Sequence, residues 1–371
     1  MACQQPQQSA AGSATDATTD TSVSRSVVRY AKGFTLEYHN HYKLVRLFNP
    51  TASGTDTLRY LLVQRGYPAP DSFPGAQVIR VPLKTMVCMS TTHVGIADFV
   101  GVADRIVGLS NLQFITNPIV RNNIKTGKVV QVGQDDNLNN ELVISLHPDL
   151  LMTMANPENA ATRYKTLTDA GVPVLVNAEW LETTPLGRAE WVKLMAALVN
   201  KEDLVNPKFD SLEKAYNTLA QLGRSATVKP RIIIGMPYKG SWFVPAGDSY
   251  EAHFLRDAGT TYKWADSKGT GSLPLNFEAV APEALQADFW LNPGGADSRE
   301  HILSKDPRYA SFAPYKTSHI FNNNKKMNDL GSNDYWESGL VHPQLILADL
   351  IRILHPDLEK GDTLVYYKQL N

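Results

Sequence analysis

Two stretches of the chain place a glutamate at the same point of a similar local pattern. Asn139-Asn140-Glu141 precedes a short apolar segment, and Asn276-Phe277-Glu278 precedes another. In each stretch an asparagine can cap a helix, and a carboxylate in the first helical turn is stabilised by the helix dipole. The spacing favours this ordinary capping role. The alternative is that two equivalent carboxylates on related halves of the protein dock a two-fold symmetric partner.

The sequence carries none of the common short motifs of catalysis. It has no GxSxG segment, no Walker loop, no HExxH and no GxGxxG that follows a predicted strand. Gly269-Thr270-Gly271 is too short for a phosphate-binding loop, and it follows a polar segment. The pattern therefore favours a protein that is not an enzyme and that carries no cofactor of its own.

The nine histidines are dispersed along the chain, which predicts that the protein has no metal site. His39 and His41 are two residues apart, but exposed hairpin histidines explain them better than a chelating pair does. A metal site formed by His93, His319 and Glu337 stays open as an alternative.

The two cysteines predict neither a structural zinc site nor a disulfide framework, because no CxxC pair is present. Cys88 lies in an apolar run and is expected to be buried. Cys3 precedes a polar stretch that is too poor in apolar residues to fold. A cysteine after a small residue and before a polar tether resembles the start of a mature bacterial lipoprotein. We therefore expect a lipid anchor at Cys3 and a disordered tether over residues 1–25, and a random cysteine in a disordered tail is the alternative.

Length and composition are those of an ordinary globular protein. The chain has 371 residues, of which 43% are hydrophobic and 20% are charged, and this length suffices for two domains. The net charge of −1 argues against a nucleic-acid partner, which would need a basic face. No run of about 18 apolar residues occurs, so no segment is expected to span a membrane.

The periodicity of apolar residues predicts two α/β units joined by a helix. A predicted hairpin, Phe34–Tyr38 with Tyr42–Leu47, opens an N-terminal lobe over residues 26–200, in which short strands alternate with helices. Residues 201–225 predict a connecting helix, because Leu204, Phe209, Leu212, Tyr216 and Leu219 are spaced so that they lie largely on one side of it. The alternation restarts over residues 226–371. The expected fold class is α/β, with two Rossmann-like lobes that each have a mainly parallel sheet flanked by helices.

Four segments match, in their order and spacing, a known family of binding proteins. They are residues 104–110, 139–151, 249–259 and 333–339. Together they resemble the cobalamin- and ferric-siderophore-binding proteins of ABC importers, the class III binding proteins, from about Val81 to Leu354. One departure is Gly95, which stands where the family often has a glutamate.

The resemblance implies a two-lobed protein that closes only slightly when it traps a ligand between its lobes. It implies that Glu141 and Glu278, one on each lobe, pair with arginines of a permease dimer in the inner membrane. It also implies a periplasmic, membrane-anchored monomer without a nucleic-acid partner. Its small-molecule partner would be a metal chelate, such as a ferric siderophore, a corrinoid or a haem-like molecule.

The ligand is expected to lie against loops at the carboxyl ends of the predicted strands. Aromatic side chains there would suit a large flat ligand, because each covers much area at a small entropy cost. Few cations occur in these loops: Lys239 is near Trp242, whereas Arg121 and Arg188 are expected to lie further away. This favours a neutral chelate over a strongly anionic one. The expected ligand-binding residues are Thr92, His93, Trp180, Trp242, Ser272, Tyr335 and Trp336.

Three alternatives remain open from the sequence. The same fold could capture a bare transition-metal ion, which would need three or four His, Asp or Glu side chains in the cleft. An enzyme or metal-cluster scaffold of similar shape would need cysteines there. A surface interaction protein without a small ligand would be supported by the additional hairpin alone.

Overall fold

The computed structural model describes residues 24–48, 58–134, 137–154, 162–359, 361 and 363–371. Cys3 and all but the last two residues of the predicted tether lie outside this part of the chain. Within it, no helix has both the length and the apolar character needed to cross a lipid bilayer. The described residues form four sheets with helices around them, so the α/β fold class predicted from the sequence is confirmed.

The first sheet has four strands and lies before the region that resembles the family. Its first three strands are antiparallel neighbours, and the fourth pairs in parallel with the third. The predicted hairpin is confirmed as the pair of the first two strands. His39 and His41 are exposed at its turn, and their rings stack on those of Tyr42 and Tyr67. The strands are β1 Phe34–Tyr38, β2 Tyr42–Leu47, β3 Leu58–Gln64 and β4 Gln77–Val81.

A buried lysine joins this first sheet to the rest of the molecule. Lys43, on β2, is 5% exposed. Its Nζ donates to Glu202 Oε1 at 2.5 Å, and to Asn200 Oδ1 and the Ala197 carbonyl at 2.8 Å each. Because every one of these contacts is to a residue more than 150 positions away, the sheet is fixed against the body of the protein.

The N-terminal lobe is built on a five-stranded sheet in which all neighbours are parallel, in the order β7-β6-β5-β8-β9. Its central strands are short apolar runs because helices cover both faces of the sheet. Cys88 is fully buried in the first of these strands, as predicted. The strands are β5 Met86–Cys88, β6 Ile106–Leu109, β7 Val130–Gln131, β8 Leu150–Thr153 and β9 Val174–Val176. The helices are α1 Thr91–Val100, α2 Pro118–Lys125, α3 Asn140–Ser145, α4 Lys165–Asp169, α5 Pro185–Ala189 and α6 Val192–Val199.

One long helix, α7 Glu202–Arg224, follows the N-terminal lobe. At about 1.5 Å per residue its 23 residues extend for about 34 Å. Its buried side is a stripe of Val205, Phe209, Leu212, Tyr216, Ala220 and Gly223. Leu204, which the sequence placed on this side, is 42% exposed. That prediction was wrong because Val205 lies four residues, one helical turn, before Phe209 and takes the buried position.

The C-terminal lobe contains a second five-stranded sheet, in the order β13-β10-β15-β16-β17, and only β17 is antiparallel to its neighbour. A small antiparallel sheet of β11, β12 and β14 covers one end of it. The strands are β10 Arg231–Ile234, β11 Pro237–Tyr238, β12 Ser241–Pro245, β13 Thr261–Tyr262, β14 Ser272–Leu275, β15 Phe289–Leu291, β16 Ile320–Asn322 and β17 Lys368–Gln369. The helices are α8 Tyr250–Asp257, α9 Phe277–Ala284, α10 Arg299–Lys305, α11 Ala313–Thr317 and α12 Pro343–Leu354.

Two buried carboxylates hold residues 29–33 against the N-terminal lobe. Glu190 accepts backbone N–H groups from Arg29, Tyr30 and Ala31 at 2.6–3.0 Å, and Lys193 Nζ donates to it at 2.7 Å. Glu182 accepts the N–H groups of residues 32 and 33 at 2.8 Å each. Backbone donors that lie in the interior need such acceptors, so these two side chains decide how the segment packs.

Replacing Glu190 with alanine should strongly destabilise the fold. The change leaves three backbone N–H groups without their acceptor and the buried ammonium of Lys193 without its carboxylate partner, which corresponds to a loss of about 3–5 kcal/mol in the free energy of unfolding. Urea denaturation measures this loss. Asp169→Ala is the matched control, because it removes the exposed pair with Lys165 and should change the same free energy by less than about 0.5 kcal/mol. Equal effects of the two substitutions would contradict the role given to Glu190.

Candidate ligand-binding cleft

A cavity of about 330 Å³ lies between the two lobes. Its N-terminal wall comes from the segment that follows β9 and leads into α5, and its C-terminal wall comes from the small antiparallel sheet, the start of α8 and a turn before α12. The lining residues are Trp180, Leu181, Glu182, Arg188, Pro245, Ser249, Tyr250, Glu251, Thr270, Gly271, Ser272, Tyr335 and Trp336.

Two indole rings reach the cavity from different parts of the chain. Trp180 lies in the 3₁₀ turn Glu179–Leu181 and is 41% exposed. Trp336 ends the 3₁₀ turn Asp334–Trp336 and is 57% exposed. Exposed tryptophans at a cavity offer large apolar faces with a polar N–H at one edge, which suits binding of a flat molecule.

A single arginine points into the same space. The Arg188 guanidinium carbon lies 3.9 Å from the centre of the Tyr250 ring, and its nitrogens donate to the carbonyls of Glu182 at 3.0 Å and Trp180 at 2.9 Å. The sequence placed Arg188 away from the cleft, and this was wrong. The reason is that α5 begins directly after the Trp180 loop, with Thr184 Oγ1 accepting the N–H of Gly187, and so folds Arg188 back against it.

Two carboxyl groups close to this arginine are shielded from water. Glu179 is 1% exposed, and Thr92 Oγ1 donates to its Oε1 at 2.6 Å. Burial raises the pKa of Glu179 to about 7, although the Thr92 hydrogen bond and Arg188 act in the opposite direction. Burial also raises the pKa of Glu251, whose Oε1 accepts from Asn292 Nδ2 at 3.0 Å. Both carboxyls thus hold a proton more readily than an exposed glutamate does.

The structure brings four of the seven predicted ligand-binding residues to the cavity. Trp180, Ser272, Tyr335 and Trp336 line it. Thr92 is not among the residues that line it, and supports the wall through its bond to Glu179. Whether any of these side chains binds a ligand stays a prediction.

His93, by contrast, does not line the cavity, because this side chain is fully buried inside the N-terminal lobe. The sequence placed His93 in a loop, whereas Ser90 caps the helix and α1 already begins at Thr91. The earlier start turns His93 inwards as part of the helix. Burial lowers the pKa of its imidazole to about 3, which keeps the ring neutral at physiological pH.

Trp242 does not line the cavity either. Its indole has no exposed surface, and its Nε1 donates to the Ile234 carbonyl at 2.9 Å. The sequence suggested a loop, but Lys239 and Gly240 form a two-residue turn with φ of 49° and 85° that starts the strand β12. Because neighbouring residues of a strand face opposite sides, Trp242 points into the core and Phe243 is 45% exposed.

No group of three or more His, Cys, Asp or Glu side chains suited to a metal ion lies within the described ranges. The set of His93, His319 and Glu337 does not converge. His93 is in the core of the N-terminal lobe, while His319 directly precedes β16 in the C-terminal lobe and is stacked on Phe289 at 4.9 Å.

Glu141 and Glu278 occupy equivalent places on the two lobes. Each is exposed and is the second residue of its helix. Asn139 Oδ1 accepts the Leu142 N–H at 2.9 Å, and Asn276 Oδ1 accepts the Ala279 N–H at 2.9 Å. The capping pattern predicted from the sequence is therefore confirmed for both. A docking role for the two carboxylates stays a prediction.

Replacing Glu179 with glutamine should remove a pH-dependent loss of stability. Because the pKa of Glu179 is raised from 4.5 to about 7, its carboxyl favours the folded state fully below pH 4.5, and this contribution is lost as the pH rises through 7. The loss amounts to at most about 3 kcal/mol. Urea unfolding measured from pH 5 to pH 8 should show a steeper fall in the free energy of unfolding for the wild type than for Glu179→Gln. Parallel curves would rule out this origin of the pH dependence.

Two relatives and three solved structures are similar to this chain over most of its length. Two relatives are uncharacterized lipoproteins of Methanocaldococcus jannaschii. The first is 26% identical, over 93% of this chain and 86% of its own length, and the second is 24% identical, over 99% of this chain and 92% of its own length. A possible iron-binding periplasmic protein of Staphylococcus epidermidis has a TM-score of 0.57 at 17% identity, covering 74% of this chain and 99% of its own.

The other two structures come from Vibrio cholerae. The periplasmic heme-binding protein HutB has a TM-score of 0.55 at 17% identity, covering 71% of this chain and 98% of its own. The periplasmic vitamin B12-binding protein BtuF has a TM-score of 0.50 at 14% identity, covering 76% of this chain and 99% of its own. At these identities the likeness concerns the fold.

The family model of periplasmic binding proteins matches residues 86–326. Since this match covers more than half of a chain that has the same two-lobed α/β fold, the chain belongs to the periplasmic binding protein family.

Proposed function

We propose that this protein captures a metal chelate, such as a ferric siderophore, a corrinoid or a haem-like molecule, in the cleft between its lobes. The observation that carries the proposal is the pair of exposed indoles, Trp180 and Trp336, at one cavity. Structural neighbours whose names refer to iron, heme and vitamin B12 support the same class of ligand. The ligand is bound and released without chemical change.

The size of the cavity supports a ligand that is only partly enclosed. Pockets for small molecules usually measure about 300–1,000 Å³, and 330 Å³ is near the lower limit. A chelate of several hundred daltons would therefore place one face or edge in the cavity and leave the remainder between the two indoles. Partial enclosure also suits rapid transfer to a partner, because fewer contacts have to break.

The charges at the cavity support a ligand that is neutral or weakly anionic. Arg188 is the one cationic side chain among the lining residues, and two carboxyls, those of Glu182 and Glu251, line the cavity with it. A strongly anionic catecholate would need several clustered cations. A chelate with a single carboxylate could pair with Arg188 while its apolar surface covers the tryptophans.

Delivery to a permease dimer is part of the proposal, with Glu141 and Glu278 as the docking charges. Two exposed carboxylates in the same capped position, one on each lobe, suit a partner with two-fold symmetry. Two relatives carry the name lipoprotein, which supports a lipid anchor at Cys3 that keeps the protein at the membrane close to its permease.

Replacing Trp336 or Trp180 with alanine should weaken chelate binding about 10- to 100-fold, because each substitution removes a large apolar contact worth about 1–3 kcal/mol. Calorimetric titration with haem, cobalamin and ferric hydroxamate siderophores measures the affinity without relying on tryptophan emission. Phe243→Ala is the control, since this ring is similarly exposed but does not line the cavity. If none of these chelates binds the wild type, or if the control loses as much affinity, the proposed ligand class is wrong.

Charge reversal at both Glu141 and Glu278 should abolish uptake through the permease and leave chelate affinity unchanged. Two carboxylates that face arginines would become two lysines, so attraction would turn into repulsion. Glu300→Lys is a matched control, because Glu300 is exposed and is also the second residue of a serine-capped helix. Uptake that survives the double reversal, or that is lost equally with Glu300→Lys, would reject the docking role.

A further inference from the structure

A segment between β16 and α12 forms one wall of the cavity and also contacts the N-terminal lobe. We call residues 326–338 the strap. At its centre, Tyr335 and Trp336 line the cavity. Directly before and after this aromatic pair stand two carboxylates, Asp334 and Glu337. The pair is therefore placed by whatever holds these flanking residues.

The flanking carboxylates are held by the N-terminal lobe. Glu337 is 2% exposed, and its two oxygens accept the backbone N–H groups of Thr116 at 2.8 Å and Asn117 at 2.7 Å. Asp334 Oδ1 accepts from Thr116 Oγ1 at 2.8 Å. Backbone donors that find a carboxylate make stronger hydrogen bonds than those that find a neutral acceptor. Thr116 and Asn117 follow the loop after β6, at the carboxyl end of the N-terminal sheet.

Further contacts fix the strap along the same loop. Asn328 Nδ2 donates to the Ile115 carbonyl at 2.9 Å, and Ser332 Oγ donates to the Phe114 carbonyl at 2.7 Å. On the neighbouring helix α1, a Cβ atom at residue 95 would overlap the carbonyl oxygen of Glu337. Gly95 therefore permits the strap backbone to approach α1 at this point. The glutamate that the family often has at this position would not fit.

The C-terminal lobe holds the same aromatic pair from the other side. The ring of Tyr335 meets Tyr366 and Tyr367 edge-to-face, at centroid distances of 5.9 and 6.1 Å. These two tyrosines are fixed in turn by Asp349, a buried carboxylate that accepts both of their backbone N–H groups at 2.6 and 3.1 Å. The cavity wall thus depends on anchors in both lobes.

We propose that Glu337 is a positioning residue for the cleft, and that by fastening the strap to the N-terminal lobe it sets where Tyr335 and Trp336 stand. The proposal rests on the proposed function in one respect, namely that this cavity is the ligand site. It adds that the binding surface is not a property of either lobe alone. A shift of the Thr116 loop moves the aromatic wall with it, because the two share the Glu337 carboxylate.

The test compares Glu337→Ala with Arg121→Ala in the full chain and without ligand. Arg121 also reaches the strap, through a partly exposed ion pair with Asp329, so it is the matched control. Hydrogen exchange is followed for the backbone amides of residues 113–117. Acrylamide quenching of Trp336 is obtained by subtracting the signal of the corresponding Trp336→Phe protein.

Loss of Glu337 should make the amides of Thr116 and Asn117 exchange about 10- to 100-fold faster, since each loses its hydrogen bond to the Glu337 carboxyl group. The quenching constant of Trp336 should rise at least about two-fold as the wall loosens. Arg121→Ala should change either quantity less than about three-fold, as expected for an exposed ion pair. Gly95→Ala should act in the same direction as Glu337→Ala, because it pushes the strap away from α1.

Glu337→Gln serves if the alanine variant does not fold, because it keeps the size of the side chain and one acceptor oxygen. A smaller increase in exchange, confined to one of the two amides, is then expected. Exchange that changes no more than in Arg121→Ala overturns the proposal, and so does faster exchange with unchanged quenching of Trp336. Because no ligand is present in these measurements, a protein that behaves as expected here but binds no chelate would contradict the proposed function alone.

Discussion

The packing of the connecting helix α7 against both lobes is the constraint on which the rest of the structure depends. Its buried face contacts α1 and α6 on the N-terminal side and α8 and α12 on the C-terminal side. At its end the contact is backbone to backbone, because a Cβ atom at Gly223 or Gly259 would overlap carbonyl groups of the facing segment. A helix that buries Phe209 and Tyr216 cannot bend without exposing them. The distance between the lobes, and hence the width of the cleft, follows from this packing.

Within that frame, the cleft draws its chemistry from side chains that are themselves held by other side chains. Arg188 is held by two carbonyls and a tyrosine ring, so its guanidinium is preorganised and loses little freedom on binding an anion. Glu179 is screened from water and bonded to Thr92. The two exposed indoles then supply most of the apolar area. This combination of one fixed cation, shielded carboxyls and open aromatic faces suits selective but reversible capture.

Local patterns allowed much of the fold to be predicted, and long-range contacts explain most of what was missed. The caps at Asn139 and Asn276 depend on three residues each and were readable from the sequence. Trp242 was misplaced because β12 is completed by β14, about 30 positions later, which no short pattern reveals. Gly95 was visible as a departure from the family, but its reason, the carbonyl of Glu337, is more than 200 positions away. The position of Arg188 at the cleft was missed because it depends on how the chain turns between Trp180 and the start of α5, and the spacing of apolar residues does not reveal that turn.

The buried lysine at the centre of the first sheet ties that sheet to the connecting helix. Lys43 and Glu202 are 5% and 3% exposed, so neither charge can be left alone in the interior at a small energetic penalty. Removing the four additional strands would also remove Lys43, which is the ion-pair partner of Glu202 at the first position of the long helix. The first sheet is therefore fastened to the start of the connecting helix and is not a detachable module.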